Sequence, residues 1–254
     1  MKIVLIGAGN VATVLGKLLF ENGFTIQQIV GRSKESTTVL ASLLNAEATF
    51  SIEHISKDAD LYIIAIPDDA VLSIAEKLYL PGKLVVHTAG TLPLNTINKI
   101  SENIGVVWPL QSLRKEISKI PEIPFVIDGN NDYVMMMLNR LFSSISDNVL
   151  SLKDEERVKL HLSAVIVSNF TNHLFALTQN YCDENNLPYD ILNPLIVETA
   201  TRLNNYAAKD IQTGPSVRGD NNSVLLHLKL LENNEKLKTI YSMFDESISK
   251  MYRK

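Results

Sequence analysis

His161, Ser168, Asn172 and Gln179 are spaced seven, four and seven residues apart in one long apolar segment. At 3.6 residues per helical turn, those spacings fall on one narrow stripe. An imidazole can give or take a proton near neutrality, and amide and hydroxyl groups can orient a polar substrate. Leu160, Leu162, Val165, Ile166, Val167, Phe170, Leu174 and Leu177 surround the stripe. A helix this apolar on nearly every side is expected to be buried. Polar groups aligned on a buried helix need partners. Two readings stay open: the stripe faces a ligand, or it forms an interhelical hydrogen-bond network in a dimer core. On the ligand reading, His161 is the acid–base residue. Asn169 and Asn172 orient the substrate, and Ser168 shares the site. Asn169 and His173 lie beside the stripe.

A second constellation stands at the start of the chain. The short apolar run from Lys2 to Ile6 meets Gly7-Ala8-Gly9-Asn10-Val11-Ala12, and a helix-like apolar stretch from Val14 to Phe20 follows. Strand, glycine turn and helix in this order can hold a dinucleotide pyrophosphate. Gly7 permits the tight turn, and Gly9 lets backbone approach a phosphate. The helix starting near Asn10 and Val11 aims free N–H groups and a positive dipole end at it. Ala12 stands for the third glycine, a variant that the fingerprint allows. The bland alternative is a structural turn that binds no nucleotide.

About 20 residues on, an acid would bind the ribose 2′-hydroxyl, whereas a cation suits a 2′-phosphate. That position reads Gly31-Arg32-Ser33-Lys34, with Glu35 a little late. Arg32 can clamp a phosphate and Ser33 can donate a hydroxyl, which favours NADP(H) over NAD(H). Alternatively, Arg32 stacks on adenine or is a solvated charge. Ile66 and Pro67 end another strand pattern, where they would line the cofactor ribose; Pro67-Asp68-Asp69 also suits helix entry. His87 and Thr88 end the next and could meet a nicotinamide or a substrate oxygen, or be structural. Val106-Val107-Trp108-Pro109-Leu110-Gln111-Ser112 repeats the arrangement one strand further on. Arg218, in the turn-rich Thr213–Asp220 segment, could anchor a substrate carboxylate or phosphate, or merely sit in a helix-capping loop.

These residues need a scaffold, and the pattern supplies one. Apolar strand runs are expected at Ile3–Ile6, Thr25–Gly31, Leu61–Ile66, Leu84–His87, Gly105–Trp108, Pro124–Ile127 and Asn148–Leu152, with a shorter one at Ala48–Phe50. Helices are expected at Val11–Glu21, Lys34–Leu44, Asp69–Tyr79, Leu94–Ser101 and Asp132–Ser143. Continuous apolar strands separated by helices mean an α/β doubly wound, mostly parallel sheet buried on both faces. After Leu152 only helical patterns remain: Asp154 to about Asn185, Tyr189–Lys209 bent at Pro194, Val224–Glu232 and Glu235–Tyr252. Residues 1–152 thus read as a dinucleotide-binding domain and 153–254 as an all-helical domain.

The 254 residues are 46% hydrophobic and 20% charged, with a formal net charge of -4. That balance gives no electrostatic footprint for nucleic acid. One cysteine, Cys182, excludes an internal disulfide and a cysteine metal cluster. No apolar run is expected to reach the length of a membrane span, and the first strand lacks a signal peptide's basic start and cleavage site. A cytoplasmic protein acting on a small molecule, with no membrane, nucleic-acid or metal partner, is expected.

The chain resembles a family of NADP-dependent oxidoreductases that pair a Rossmann-like domain with a helical C-terminal domain of unknown function. The resemblance spans essentially the whole chain. It rests on GAGNVA, AIPDDAV, HTAG, WPLQS, HLSAVIVSNFTNHL from His161 to Leu174, and TGPSVRGD from Thr213 to Asp220. Wider relatives are the β-hydroxyacid dehydrogenases, pyrroline-5-carboxylate reductases and deazaflavin-dependent NADP reductases. The resemblance implies bound NADP, a C-terminal domain of the 6-phosphogluconate dehydrogenase kind, and a homodimer built on that domain. β-Hydroxyacid dehydrogenases use a lysine with an asparagine four residues later. Asn169 or Asn172 is the match for that asparagine, but position 165 is Val and position 161 is His, and no lysine matches the proton donor. The expected activity is hydride transfer to or from a small carbonyl, imine or alcohol carbon. The missing lysine motivates a rival, an NADP-binding sensor or scaffold without turnover. Ala89-Gly90-Thr91 motivates another, imine reduction on a pyrroline-like substrate.

Overall fold

The computed structural model describes residues 1–116 and 119–253. They divide into two compact units, Met1–Asn169 and Phe170–Lys254, and the division falls inside the helix that begins at Asp154.

Eight strands form where eight apolar runs predict them: β1 Lys2–Ile6, β2 Thr25–Val30, β3 Glu47–Thr49, β4 Leu61–Ile64, β5 Leu84–His87, β6 Asn103–Pro109, β7 Phe125–Gly129 and β8 Val149–Ser151. They make one sheet in the order β3-β2-β1-β4-β5-β6-β7-β8. Every pairing is parallel except β6 with β7. The chain builds outward from β1 through β2 to β3, then returns to start β4 on the other side of β1. That reversal opens a crevice at the carboxyl ends of β1 and β4, the usual ligand position in such sheets.

Alternation along the strands fills both faces. Ile3 and Leu5 join Leu15, Leu19, Leu40, Leu138 and Phe142 under α1 (Asn10–Glu21), α2 (Lys34–Leu43) and α4 (Asp132–Phe142). Val4 and Ile6 join Tyr62, Ile64, Val71 and Ala75 under α3 (Asp68–Ala75). Each fully buried aliphatic side chain contributes about 1.5–3 kcal/mol, so the crevice stands on a stiff base. Val106, Trp108 and Val126 form a third, smaller cluster, on which Leu160 and Ala164 of α5 (Asp154–Ala164) pack.

Several expectations are corrected. Leu94–Ser101 holds only a 3-10 turn, Leu94–Ile97, and α3 stops short of Tyr79. The Tyr189–Lys209 helix does not form as one piece. It breaks into a 3-10 turn, Tyr189–Leu192, then α7 (Asn193–Thr201), then two further 3-10 turns. Pro194 lies in the first turn of α7, where its missing N–H costs nothing, so it starts a helix instead of bending one.

The helix from Asp154 differs most. Val165–Phe170 forms a π-helical segment between α5 and α6 (Thr171–Glu184). Its wider turn slips the stripe's register, since i→i+5 bonding advances each residue by less than an α-helix does. Nor is this helix buried within the chain: Leu162 is 59% and Val167 71% exposed. Asp154–Glu184, with a mean hydropathy of 1.2 in its most apolar window, is long and apolar enough to cross a membrane by length and composition. The expectation that nothing in the chain reaches that length is therefore corrected. Single polar residues interrupt the apolar run without lowering its average far enough.

In the second unit, α8 (Pro215–Arg218), α9 (Asn221–Leu230) and α10 (Glu235–Tyr252) pack together. Asp220 caps α9 by accepting from the Ser223 N–H at 3.1 Å, and Asn234 caps α10 through Leu237. Arg253 donates from Nε to the Ser216 carbonyl at 2.5 Å, tying the chain end to α8. His227 Nδ1 and the Tyr241 hydroxyl lie 2.8 Å apart between α9 and α10.

Candidate active site

The crevice is shaped by Gly7. Its φ is +128°, and a Cβ there would stand 2.1 Å from the Ala65 carbonyl oxygen. Its N–H donates to the Val30 carbonyl at 2.8 Å, so one residue joins the ends of β1, β2 and β4. Gly9 caps α1 without a side-chain hydrogen bond, and among the described residues nothing lies within 4 Å of where its Cβ would be. Open space above an uncapped helix start is the cradle that a pyrophosphate fills, so the residues present fit a dinucleotide. Asn10 is exposed and Val11 half-buried on the first turn. Ile66 is half-buried beside Gly7, and Pro67 is exposed at the cap of α3. The Lys115 N–H donates to Asn10 Oδ1 at 3.3 Å, which brings the loop after β6, with exposed Arg114 and Lys115, to the glycine turn.

At the end of β2, Gly31 packs so closely on Thr37 that a Cβ would come within 2.3 Å of its hydroxyl. Arg32 beyond it is exposed, with no ion-pair or hydrogen-bond partner among the described residues. Ser33 caps α2: its Oγ accepts from the Ser36 N–H and donates to Ser36 Oγ, both at 3.3 Å. A 2′-phosphate here would meet the Arg32 fork, with Ser33 free to turn its hydroxyl away from Ser36.

Further along the sheet, the carboxyl end of β6 and the helix from Asp154 enclose a cleft of about 470 Å³. Gln111, Ser112, His161, Ser163, Ser168 and Asn169 give it polar groups, and Trp108, Leu110, Leu160 and Val165 give it apolar wall. The Trp108 and His161 rings lie 5.4 Å apart between centroids, tilted by 43°. Gly90 backs this pair: a Cβ there would come within 2.5 Å of His161 Cδ2. His161, Ser168 and Asn169 therefore come together. The consecutive Ser168 and Asn169 of the π segment both line this cleft. Asn172 and Gln179 are exposed on α6, and Arg218 is exposed at the end of α8. His173 lines a separate groove with Leu177, Glu235 and Lys236.

His87 and Thr88 do not offer themselves to a ligand. His87 is fully buried, and the Thr88 hydroxyl, also buried, donates to the Ile64 carbonyl at 3.3 Å. The reason is the sheet itself: β5 lies between β4 and β6, and the segment that follows turns back on the ring, the Ala89 N–H donating to His87 Nδ1 at 3.3 Å. Burial, then the nearby Arg157 guanidinium, pushes the His87 pKa down to about 4. Between pH 6.5 and 4 the unfolded chain binds a proton at this position and the folded chain does not. Stability from neutral His87 is thus fully present above pH 6.5 and is lost as pH falls towards 4, by about 3 kcal/mol in all. Urea unfolding at pH 7 and pH 4.5 should show a smaller acid loss in His87→Leu than in the native protein.

Two features carried no sequence expectation. One is the Lys115 contact to Asn10. The other is Arg157, fully buried on α5 one helical turn before His161. Its signal was the spacing Asp154, Arg157, His161, which sets a carboxylate, a guanidinium and an imidazole on one helix face.

The comparisons with known proteins follow the same division. Residues 2–90 match the family model described as NADP oxidoreductase coenzyme F420-dependent, and residues 123–248 match Domain of unknown function (DUF2520). A candidate NADP oxidoreductase from Bacteroides fragilis is 36% identical, with a TM-score of 0.90 over 98% of both chains. The chain belongs to that family. NADP(H) is the cofactor of this NADP oxidoreductase family. An imine reductase from Myxococcus stipitatus in complex with NADP+ shares the fold, at 15% identity and a TM-score of 0.65 over 100% of this chain and 93% of that one. A Staphylococcus saprophyticus glycerol-3-phosphate dehydrogenase [NAD(P)+] is 29% identical over 116 residues, which are 40% of this chain and 35% of that protein's length.

Proposed function

We propose that this NADP oxidoreductase moves hydride between NADP(H) and a small carbonyl, imine or alcohol carbon seated in the Trp108–His161 cleft. The observation that carries the reading is the cleft itself. It is an apolar pocket with a few convergent neutral polar groups and a single imidazole. Gly7, Gly9, Asn10 and Val11 would hold the pyrophosphate, Arg32 and Ser33 the 2′-phosphate, and Ile66 and Pro67 the ribose. The bound nicotinamide supplies or takes the hydride. His161 gives or takes the proton at the substrate heteroatom, while Ser168 and Asn169 hold that atom by hydrogen bonds. Asn172 is assigned to substrate orientation and Arg218 to an anionic end.

On this reading residues 1–152 serve the cofactor and 153–254 serve the substrate and dimerisation. The partner is a second copy of the chain, because Phe170, Ile191, Leu195 and Val197 are all more than half exposed. A cytoplasmic location accords with a helix that a second copy covers. Imine reduction is the second reading, supported by the whole-length likeness to an imine reductase.

Thermal shifts with NADPH and NADH test the cofactor half. A ligand binding only the folded state stabilises it by about 2.7 kcal/mol at a hundredfold excess over its Kd. NADPH should give the larger shift, and Arg32→Ala should weaken NADPH binding about 10- to 100-fold while sparing NADH. Equal shifts would remove the phosphate role. NADPH consumption across keto acids, aldehydes, ketones and cyclic imines tests the chemical half. No consumption anywhere would favour a sensor without turnover.

A further inference from the structure

Arg157 is fully buried, yet none of its hydrogen bonds goes to another core side chain. Its Nε donates to the Gly90 carbonyl at 3.3 Å, and its Nη2 to the Leu92 carbonyl at 2.5 Å and to Asp154 Oδ1 at 2.6 Å. The Asp154 carboxylate in turn accepts from the Leu94 N–H at 3.0 and 3.2 Å. The first turn of α5 therefore grips the Gly90–Leu94 segment along its length. Asp68 holds the same segment from the other side, accepting from the Thr91 hydroxyl at 2.8 Å.

Gly90 links this grip to the cleft. Its carbonyl is held by Arg157, and its Cα lies against the imidazole and the indole. A methyl group there would come within 2.5 Å of His161 Cδ2 and 2.9 Å of Trp108 Cε2. Arg157 and His161 are four residues apart, so they lie on one face of α5. Burying a guanidinium is costly unless its donors are paired, and its carboxylate partner Asp154 is 43% exposed. A guanidinium spent on the backbone of one segment is better suited to fixing where that segment sits. We propose that Arg157 is a positioning residue: by holding the Gly90 carbonyl it sets the stop against which the His161 imidazole rests beside Trp108. The catalytic consequence rests on the acid–base reading of His161; the positioning itself does not.

Trp108 is the only tryptophan, so its emission reports this contact without a substrate. A protonated imidazole in contact with an indole quenches it by accepting an excited-state electron. The ionisable groups around the wall are Asp68, His87, Asp154, Arg157 and His161. His161→Asn identifies which part of the signal belongs to His161. The native protein should lose emission on acidification, and His161→Asn should lack that step. Arg157→Gln, still folded by circular dichroism, should lose at least half of the step's amplitude. A folded Arg157→Gln with the full step overturns the proposal, because a purely structural role would lower Tm and leave the quenching alone. Should Arg157→Gln not fold, Gly90→Ala reads the same wall. Its methyl group should drive the imidazole off and abolish the step, and a full step would overturn the proposal. So would a native protein without the step, or a step that persists in His161→Asn. Failure of the acid–base reading appears separately, as unchanged turnover in His161→Ala.

Discussion

His161→Ala is expected to lower turnover on a responsive carbonyl or imine by about 10²- to 10⁴-fold, the usual contribution of a placed general acid–base. NADPH affinity should stay within about twofold, because His161 is not among the residues assigned to the cofactor. The size follows from the cleft's composition. Its other polar lining groups are Gln111, Ser112, Ser163, Ser168 and Asn169, none of which titrates near neutrality. Hydride addition leaves negative charge on an oxygen or nitrogen, and only the imidazole there can supply the proton. Steady-state rates with saturating NADPH, paired with a fluorescence titration of the cofactor, measure both halves. Unchanged turnover would remove His161 from the mechanism.

Gly7→Ala should have the largest effect on the protein itself. The backbone there has φ of +128°, and the new methyl group would stand 2.1 Å from the Ala65 carbonyl oxygen and 2.8 Å from its carbon. Backbone cannot rotate out of the way, so β1 and β4 must separate at the crevice. A loss of about 2–4 kcal/mol in urea unfolding is expected, together with loss of measurable NADPH binding. Gly9→Ala is the matched control. Its φ of -86° is ordinary and its surroundings are open among the described residues. Its stability should stay within about 0.5 kcal/mol of native while NADPH binding falls, since the methyl group occupies the space left for phosphate. If Gly9→Ala bound NADPH normally, the pyrophosphate would have to lie elsewhere.

The Rossmann-like half was legible because its signals are local. An apolar run buried on both faces reads as a strand from composition alone, and Gly7 is demanded by a turn spanning a few residues. Arg32 was legible for the same reason, as it is fixed by its distance from the end of β2. The helical half was less legible. The polar stripe assumed an unbroken 3.6-residue period, and nothing in Val165–Phe170 marks a π segment. Burial of that helix was inferred from its apolar content, which by itself does not bury a helix within its own chain. His87 was misjudged because strand-end position does not reveal what the following segment folds over. Arg157 was missed because its partners, Gly90 and Leu92, lie some 65 residues away.

The sequence by itself determined the α/β sheet, the glycine cradle and the cation at the end of β2, because each follows from neighbours along the chain. Tertiary structure decided which polar residues meet. Gly90, Trp108, His161, Ser168 and Asn169 come from three separate segments, joined by the closing of β5 and β6 under α5. Contacts across that distance depend on packing geometry, and the residue pattern of no single segment encodes it.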